Sequence, residues 1–208
     1  MGERDLVLNP DLVKGFLAPE EGERLYDLAL QAAPLGPCLE VGSYCGKSTI
    51  YLGSACKARD TLLYAVDHHR GSEEHQLGEE YHDSDLYDAE AGRMDSFRTF
   101  RRTLQLGGLE ETVVPLVASS SLAGRHWATP LSLVFIDGGH SLEAAQTDLN
   151  TWAPHVVIGG YLAIHDVFFD PEEGGQAPRE IYEDAWGTGC FELLEMTGTL
   201  GVLKRTRR

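Results

Sequence analysis

Residues 38–49 read CLEVGSYCGKST, and the fold turns on how this stretch is understood. Cys38–Val41 is a short β-rich run bounded by glycine, and from Lys47 the pattern becomes helical. A strand that passes through a glycine turn into a helix presents backbone N–H groups to a ligand. Two versions of that device compete here. A phosphate-gripping P-loop needs four residues between its first glycine and the Gly-Lys-Ser/Thr. Gly42 and Gly46 have three between them, which changes the cradle of N–H groups. The other version is an acidic residue followed by two glycines, here Glu40, Gly42 and Gly46. The glycines bend the backbone and let a ligand approach where a Cβ would block it. The helix N-terminus favours a carboxylate, and Glu40 is placed to meet an amino group. A ligand carrying both groups is an amino acid.

Outward from this turn, short apolar runs alternate with helical stretches. Strands are predicted near Cys38–Val41, Leu62–Val66, Thr112–Val117, Leu131–Ile136 and Tyr161–Ile164. Helices are predicted over Glu20–Ala33, Lys47–Lys57, Asp95–Leu106 and Ser141–Trp152. This alternation implies parallel βαβ units with helices on both faces of the sheet. Phe191–Met196 and Leu200–Lys204 flank Thr197-Gly-Thr199, which reads as a closing antiparallel hairpin. The fold class expected is therefore α/β: a Rossmann-like, mostly parallel seven-stranded sheet that ends in an antiparallel hairpin. Residues 1–208 read as one domain, with a helical extension over 1–34 and the core over 35–208. The polar segment 68–90 has no apolar period and reads as a lid loop, and 170–178 as a second polar loop.

Asp67 closes the second predicted strand. An acidic residue there accepts hydrogen bonds from a ribose diol. An amino acid joined to a ribose describes S-adenosylmethionine. The same strand-turn-helix serves NAD enzymes, although the third glycine of Gly-x-Gly-x-x-Gly is absent here. An NAD-type oxidoreductase, or a non-catalytic protein keeping the cofactor fold, is the alternative.

From Leu35 onward the chain resembles the class I S-adenosylmethionine-dependent methyltransferases. LEVGSYCGKST is similar to the cofactor turn of the catechol O-methyltransferase group. FIDGGHSLEAAQTDLNTWAPHVVIGGYLAIHDVF resembles a bacterial subgroup that includes macrocin-type O-methyltransferases and cephalosporin-hydroxylase-like proteins. The resemblance implies that Tyr44 and Ser48 contact the methionine end and that Ser119 and Ser120 flank the adenine. It also implies that Asp137, which touches the cofactor in the alternative reading, joins His165 and Asp166 in holding a divalent metal. In the catechol-type pattern that metal is magnesium. Imidazole suits other divalent ions better than magnesium, so the ion's identity stays open.

The activity implied is O-methylation of a hydroxyl on a small molecule such as a natural product, sugar or phenol. A hydroxyl is a poor nucleophile until it loses its proton. His140, three residues past Asp137, stands where the catechol-type pattern has a lysine and is the candidate base, with Asp137 beside it as catalytic. His68, His69, His75 and His82 form no i,i+4 helical pair and read as part of a lid rather than a second metal site. Tyr81, Tyr87, Phe168 and Phe169 are candidates for an acceptor pocket.

Composition excludes other classes. The chain has 17 basic and 33 acidic residues and a net charge of -16, which opposes phosphate-driven nucleic-acid binding. MGERDLVLNP carries no signal-peptide pattern, and no apolar run is long enough for a membrane span. The four cysteines form no CxxC pair, so a reducing cytoplasm is expected. Met1–Pro19 lies outside the core pattern and is available to pack on a partner subunit in a homo-oligomer.

Overall fold

The structure, a computed structural model, describes residues 4–71, 83–139 and 141–207. Its main sheet comprises β1 (Cys38–Val41), β2 (Leu63–Val66), β5 (Val113–Leu116), β6 (Leu131–Ile136), β7 (Val156–Ile164), β8 (Phe191–Leu193) and β9 (Gly201–Arg205). The spatial order is β5-β2-β1-β6-β7-β9-β8. The first five strands in that order are parallel, and β9 runs antiparallel to both β7 and β8. The predicted seven-stranded sheet with a terminal hairpin is therefore present. Chain order reverses direction across the sheet between β1 and β6. Ligands of open α/β sheets bind in the crevice beyond strand ends at such a point.

The strands alternate as a doubly covered sheet requires. Leu133 and Phe135 of β6 face a core shared with α1 (Pro19–Ala32), α2 (Lys47–Ala58) and α3 (Phe97–Gly107). Val134 and Ile136 face the other core, shared with α5 (Leu142–Trp152) and α6 (Ala177–Gly187). Proline at the first position and Glu20 and Glu21 in the first turn begin α1, and Leu25, Leu28, Ala29 and Ala32 bury its inner face. This helix is one of the layers covering the sheet.

Three regions differ from the sequence reading. Strand β7 starts five residues early, at Val156, because Gly159 (φ +87°) lets the chain bend while it stays paired with β6. Helix α6, absent from the sequence-based expectation, follows the polar loop, and Ile181, Tyr182 and Ala185 give it a buried face. The segment 68–90, read as a lid loop, ends in β3 (Tyr87–Asp88), which pairs with β4 (Arg93–Met94) just beyond it in a small hairpin anchored by buried Leu86 and Met94. His75, Tyr81 and His82 lie outside the described residues.

The N-terminal segment packs on its own chain. Val13 and Leu17 are buried in the first core, and Arg4 pairs with Glu23 and Asp27 of α1. Lys14 bridges Asp83 and Asp85 at 2.6 and 2.9 Å, tying this strap to the residues just before β3.

Candidate functional site

A cavity of about 970 Å³ opens beyond the C-terminal ends of β1, β2, β5, β6 and β7. That is at the upper end of the ~300–1,000 Å³ usual for small-molecule sites, room for more than one ligand group.

The glycine turn forms its floor. Gly42 has φ +87°, and a Cβ there would lie 1.9 Å from the Asp137 carbonyl oxygen. Only glycine lets the turn pass this close to the loop after β6. Tyr44 holds a left-handed conformation (φ 45°), and its N–H donates to Asp67 Oδ2 at 2.8 Å. Asp67 Oδ1 accepts from the His69 N–H at 2.6 Å. Two backbone donors thus fix the Asp67 carboxylate at the cavity wall, and each oxygen keeps a lone pair for a ligand. Ser43 lines the cavity and is buried, and its hydroxyl acts on the Glu40 carboxyl behind the turn.

Two expected ligand contacts stand one layer back. Glu40 is fully buried and does not line the cavity. Its carboxylate accepts hydrogen bonds from Ser48 and Thr49 in the first turn of α2, so it stands behind cavity-lining hydroxyls such as that of Ser48. Burial raises its pKa to about 7, against the lowering effect of the Thr49 and Ser48 hydroxyls. Gly46 begins α2 in a left-handed conformation and abuts Phe100 and Thr103 of α3, where a Cβ would sit 3.0 Å from Thr103. Its lack of a side chain lets α2 and α3 pack closely here.

Past Asp67 the wall continues with Ala118, Ser119 and Ser120 at the start of the short helix α4 (Ser120–Ala123). Ser119 is exposed, whereas Ser120 is buried and its Oγ accepts from Trp152 Nε1 at 3.1 Å. His68 lines the cavity and is exposed. His69 is buried between Phe97 and Phe100, hydrogen-bonded to Ser96 at 2.8 Å, a packed histidine rather than a metal ligand.

The other end lies beyond β6 and β7. Asp137, His165 and Asp166 each present a donor atom within 4.8 Å of the others. His165 Nδ1 lies 3.1 Å from Asp137 Oδ1 and 3.4 Å from Asp166 Oδ2. Its Nε2 lies 2.9 Å from Glu21 Oε2 of α1. Glu21 Oε1 also accepts from the Thr199 N–H (2.7 Å) and hydroxyl (2.9 Å), in the turn between β8 and β9. Burial opposes charge on the imidazole, but three carboxylates outweigh it and raise the His165 pKa, Asp137 foremost. Burial likewise works against Glu21, and His165 with Thr199 overcomes it to lower that pKa to about 2. The donor set could hold a divalent cation: Glu21 secures Nε2 and leaves Nδ1 turned toward two carboxylates, and a cation held there would replace the Nδ1 proton.

Glu21 was missed by sequence reasoning because an N3 glutamate reads as a helix cap, and it does accept the Ala18 N–H. His140 falls outside the described residues. Phe168 lines the cavity, while Phe169 is exposed under Arg179 and Tyr87 pairs in the small hairpin.

A family profile described as "Methyltransferase domain" matches residues 39–167. Among solved structures, the O-methyltransferase NovP superposes with a TM-score of 0.70 at 19% identity, over 90% of this chain and 80% of that one. The O-methyltransferase TomG from Streptomyces achromogenes, involved in tomaymycin synthesis and solved with SAM, gives 0.64 at 16% identity over 92% and 82%. The O-methyltransferase from Bacillus cereus, solved with SAH, gives 0.61 at 15% over 91% and 83%. These likenesses establish the shared fold.

Proposed function

The chain belongs to the methyltransferase-domain family, and on that premise we propose that it transfers the methyl group of S-adenosylmethionine to a hydroxyl of a small molecule. The carrying observation is the row of groups along the strand ends: a glycine turn at β1, a carboxylate fixed by two backbone donors at β2, and a three-donor cluster at β6 and β7. The first two suit an amino acid and a ribose, in the order the sequence reading anticipated. SAM and SAH in the related structures support the same ligand. The family match leaves the oxidoreductase alternative without support.

In this reading Tyr44 and Ser48 border the methionine end, Asp67 holds the ribose diol, and Ser119 and Ser120 border the base. The acceptor lies toward Asp137 and Asp166. S-adenosylmethionine, when bound, would supply a sulfonium methyl; the acceptor oxygen would form the C–O bond as the C–S bond breaks, and its hydroxyl proton would pass to a base. His140, beside the cavity residues Gly139 and Ser141 in sequence, is the base we propose. Asp137, His165 and Asp166 would hold a divalent cation, which lowers the pKa of a bound hydroxyl. The nitrogen donor favours an ion such as Mn²⁺ over Mg²⁺. Among the described residues Cys38, Cys45, Cys56 and Cys190 form no disulfide, which suits a reducing cytoplasm. Among the described residues no helix is long and apolar enough to cross a membrane.

The test is methyl transfer from labelled S-adenosylmethionine to a panel of phenols, sugars and hydroxylated natural products, with Mn²⁺, Mg²⁺ or chelator. Label on an acceptor oxygen, reduced by chelation and by Asp166→Asn, is the expected result. Failure of the protein to bind either S-adenosylmethionine or its product overturns the reading.

A further inference from the structure

One carboxylate on the cavity wall has no part in that scheme. Asp148 lies in the middle of α5, on the stripe formed by Ala145, Leu149 and Trp152 that packs into the second core. It is 93% buried by the complement of its 7% exposure, yet it lines the cavity. A carboxylate on an apolar helix face is costly unless something polar meets it.

Its surroundings leave an acceptor facing inward. Ser120 Oγ accepts from Trp152 Nε1, so its own proton is free to be donated to Asp148. Besides that hydroxyl, the groups that act on Asp148 are His68 and Asp67, and no Lys or Arg among the described residues is one of them. Burial raises its pKa to about 6, so the group is ionised at neutral pH with a single neutral donor. On its inner side Asp148 Oδ2 would be 2.4 Å from a Cβ at Gly138, so it sits tight beneath the loop after β6.

The sheet fixes which part of a ligand reaches this place. From β1 to β2 to β5 the strand ends present, in turn, the glycine turn, Asp67, and Ala118–Ser120. A nucleoside whose diol sits on Asp67 and whose amino-acid arm runs back over Gly42 must carry its base on toward β5. The base then enters the space between the loop after β6 and the start of α4, where Ser120 and Asp148 meet.

We propose that Asp148 accepts a hydrogen bond from the exocyclic amino group of the adenine, and so selects an adenosine cofactor over nucleosides with an oxo group at that position. The inference rests on the cofactor reading above. A carboxylate opposite a 6-amino group gains a charge-assisted hydrogen bond, whereas opposite a 6-oxo group it meets a second acceptor.

Three ligands test this by calorimetry on the full chain: S-adenosylhomocysteine, its 6-oxo analogue S-inosylhomocysteine, and the purine analogue with hydrogen at C6. The wild type should prefer the adenosine form over the 6-oxo form by about a hundredfold, and over the 6-hydrogen form by about tenfold. Asp148→Asn, which can donate to a 6-oxo group, should erase most of the preference over S-inosylhomocysteine. Should that variant not fold, Asp148→Ser replaces it and should also lose the preference. Equal binding of all three ligands to the wild type, or a wild-type preference surviving in the folded variant, overturns the assignment. If the wild type binds none of the three, it is the cofactor reading that fails and this assignment falls with it.

Discussion

The two ends of the cavity are built in opposite ways. At the β1–β2 end the polar groups are fixed by near neighbours: Ser48 and Thr49 hold Glu40 across eight and nine residues, and Tyr44 holds Asp67 across 23. At the β6–β7 end, Glu21 holds His165 across 144 residues and Thr199 across 178. The first end is a turn that carries its own supports. The second exists only when the first helix, the seventh strand and the closing hairpin are all in place. The turn at the β1–β2 end can therefore persist where the β6–β7 end is damaged, and the reverse is harder to achieve.

Gly42 is where the two ends touch, and it allows the most severe way to break the contrast. Gly42→Ala should cost about 3 kcal/mol or more, since the new Cβ meets the Asp137 carbonyl at a positive φ, and should abolish S-adenosylhomocysteine binding. Chemical denaturation and calorimetry measure both; a variant that binds normally would show that the turn has slack. Glu21→Ala strikes the distant end alone. It leaves a buried imidazolium without one partner and should cost about 3–5 kcal/mol. While the variant is kept folded, its affinity for S-adenosylhomocysteine should stay within a few-fold of wild type, but methyl transfer should be lost. Equal loss of binding would erase the distinction between the ends.

Glu40 sharpens the comparison through pH. Its carboxyl pKa is about 7 folded against 4.5 unfolded, so between those values the folded state keeps a proton that the unfolded chain releases. Stability conferred by the protonated form is present below pH 4.5 and falls as pH rises toward 7, by about 3 kcal/mol. Glu40→Gln removes that slope. Denaturation curves of wild type and variant should therefore converge at low pH and separate above it, relative to their own starting points; parallel curves at every pH would refute the assignment. Asp67→Asn should have the mildest effect, weakening S-adenosylhomocysteine about 10–100-fold by removing a charged acceptor from the diol, with the melting temperature little changed.

How far the sequence reading went follows the same division. CLEV, the glycines and Asp67 lie within one βαβ unit, so periodicity and turn chemistry placed them together. Asp137, His165 and Asp166 were also legible, because adjacent parallel strands end side by side. Glu21 was not, since nothing local in PEEGERL points to residue 165 and its capping contact accounts for it fully. Asp148 had a readable signal, an acid on the apolar stripe of α5, but helical spacing alone does not say which neighbour meets it. Glu40 stands one layer behind the cavity rather than on it, because a strand's last residues alternate between cavity and core and a motif does not reveal which side is which.

The most direct test of the account is a crystal structure of the wild-type chain with S-adenosylhomocysteine. The homocysteine arm should lie over Gly42–Tyr44, both ribose hydroxyls should bond Asp67, and the base should reach Ser120 and Asp148 with the sulfur directed toward Asp137. A complex in which Asp67 faces only solvent, or in which the ligand lies outside the β1–β2 crevice, would contradict it.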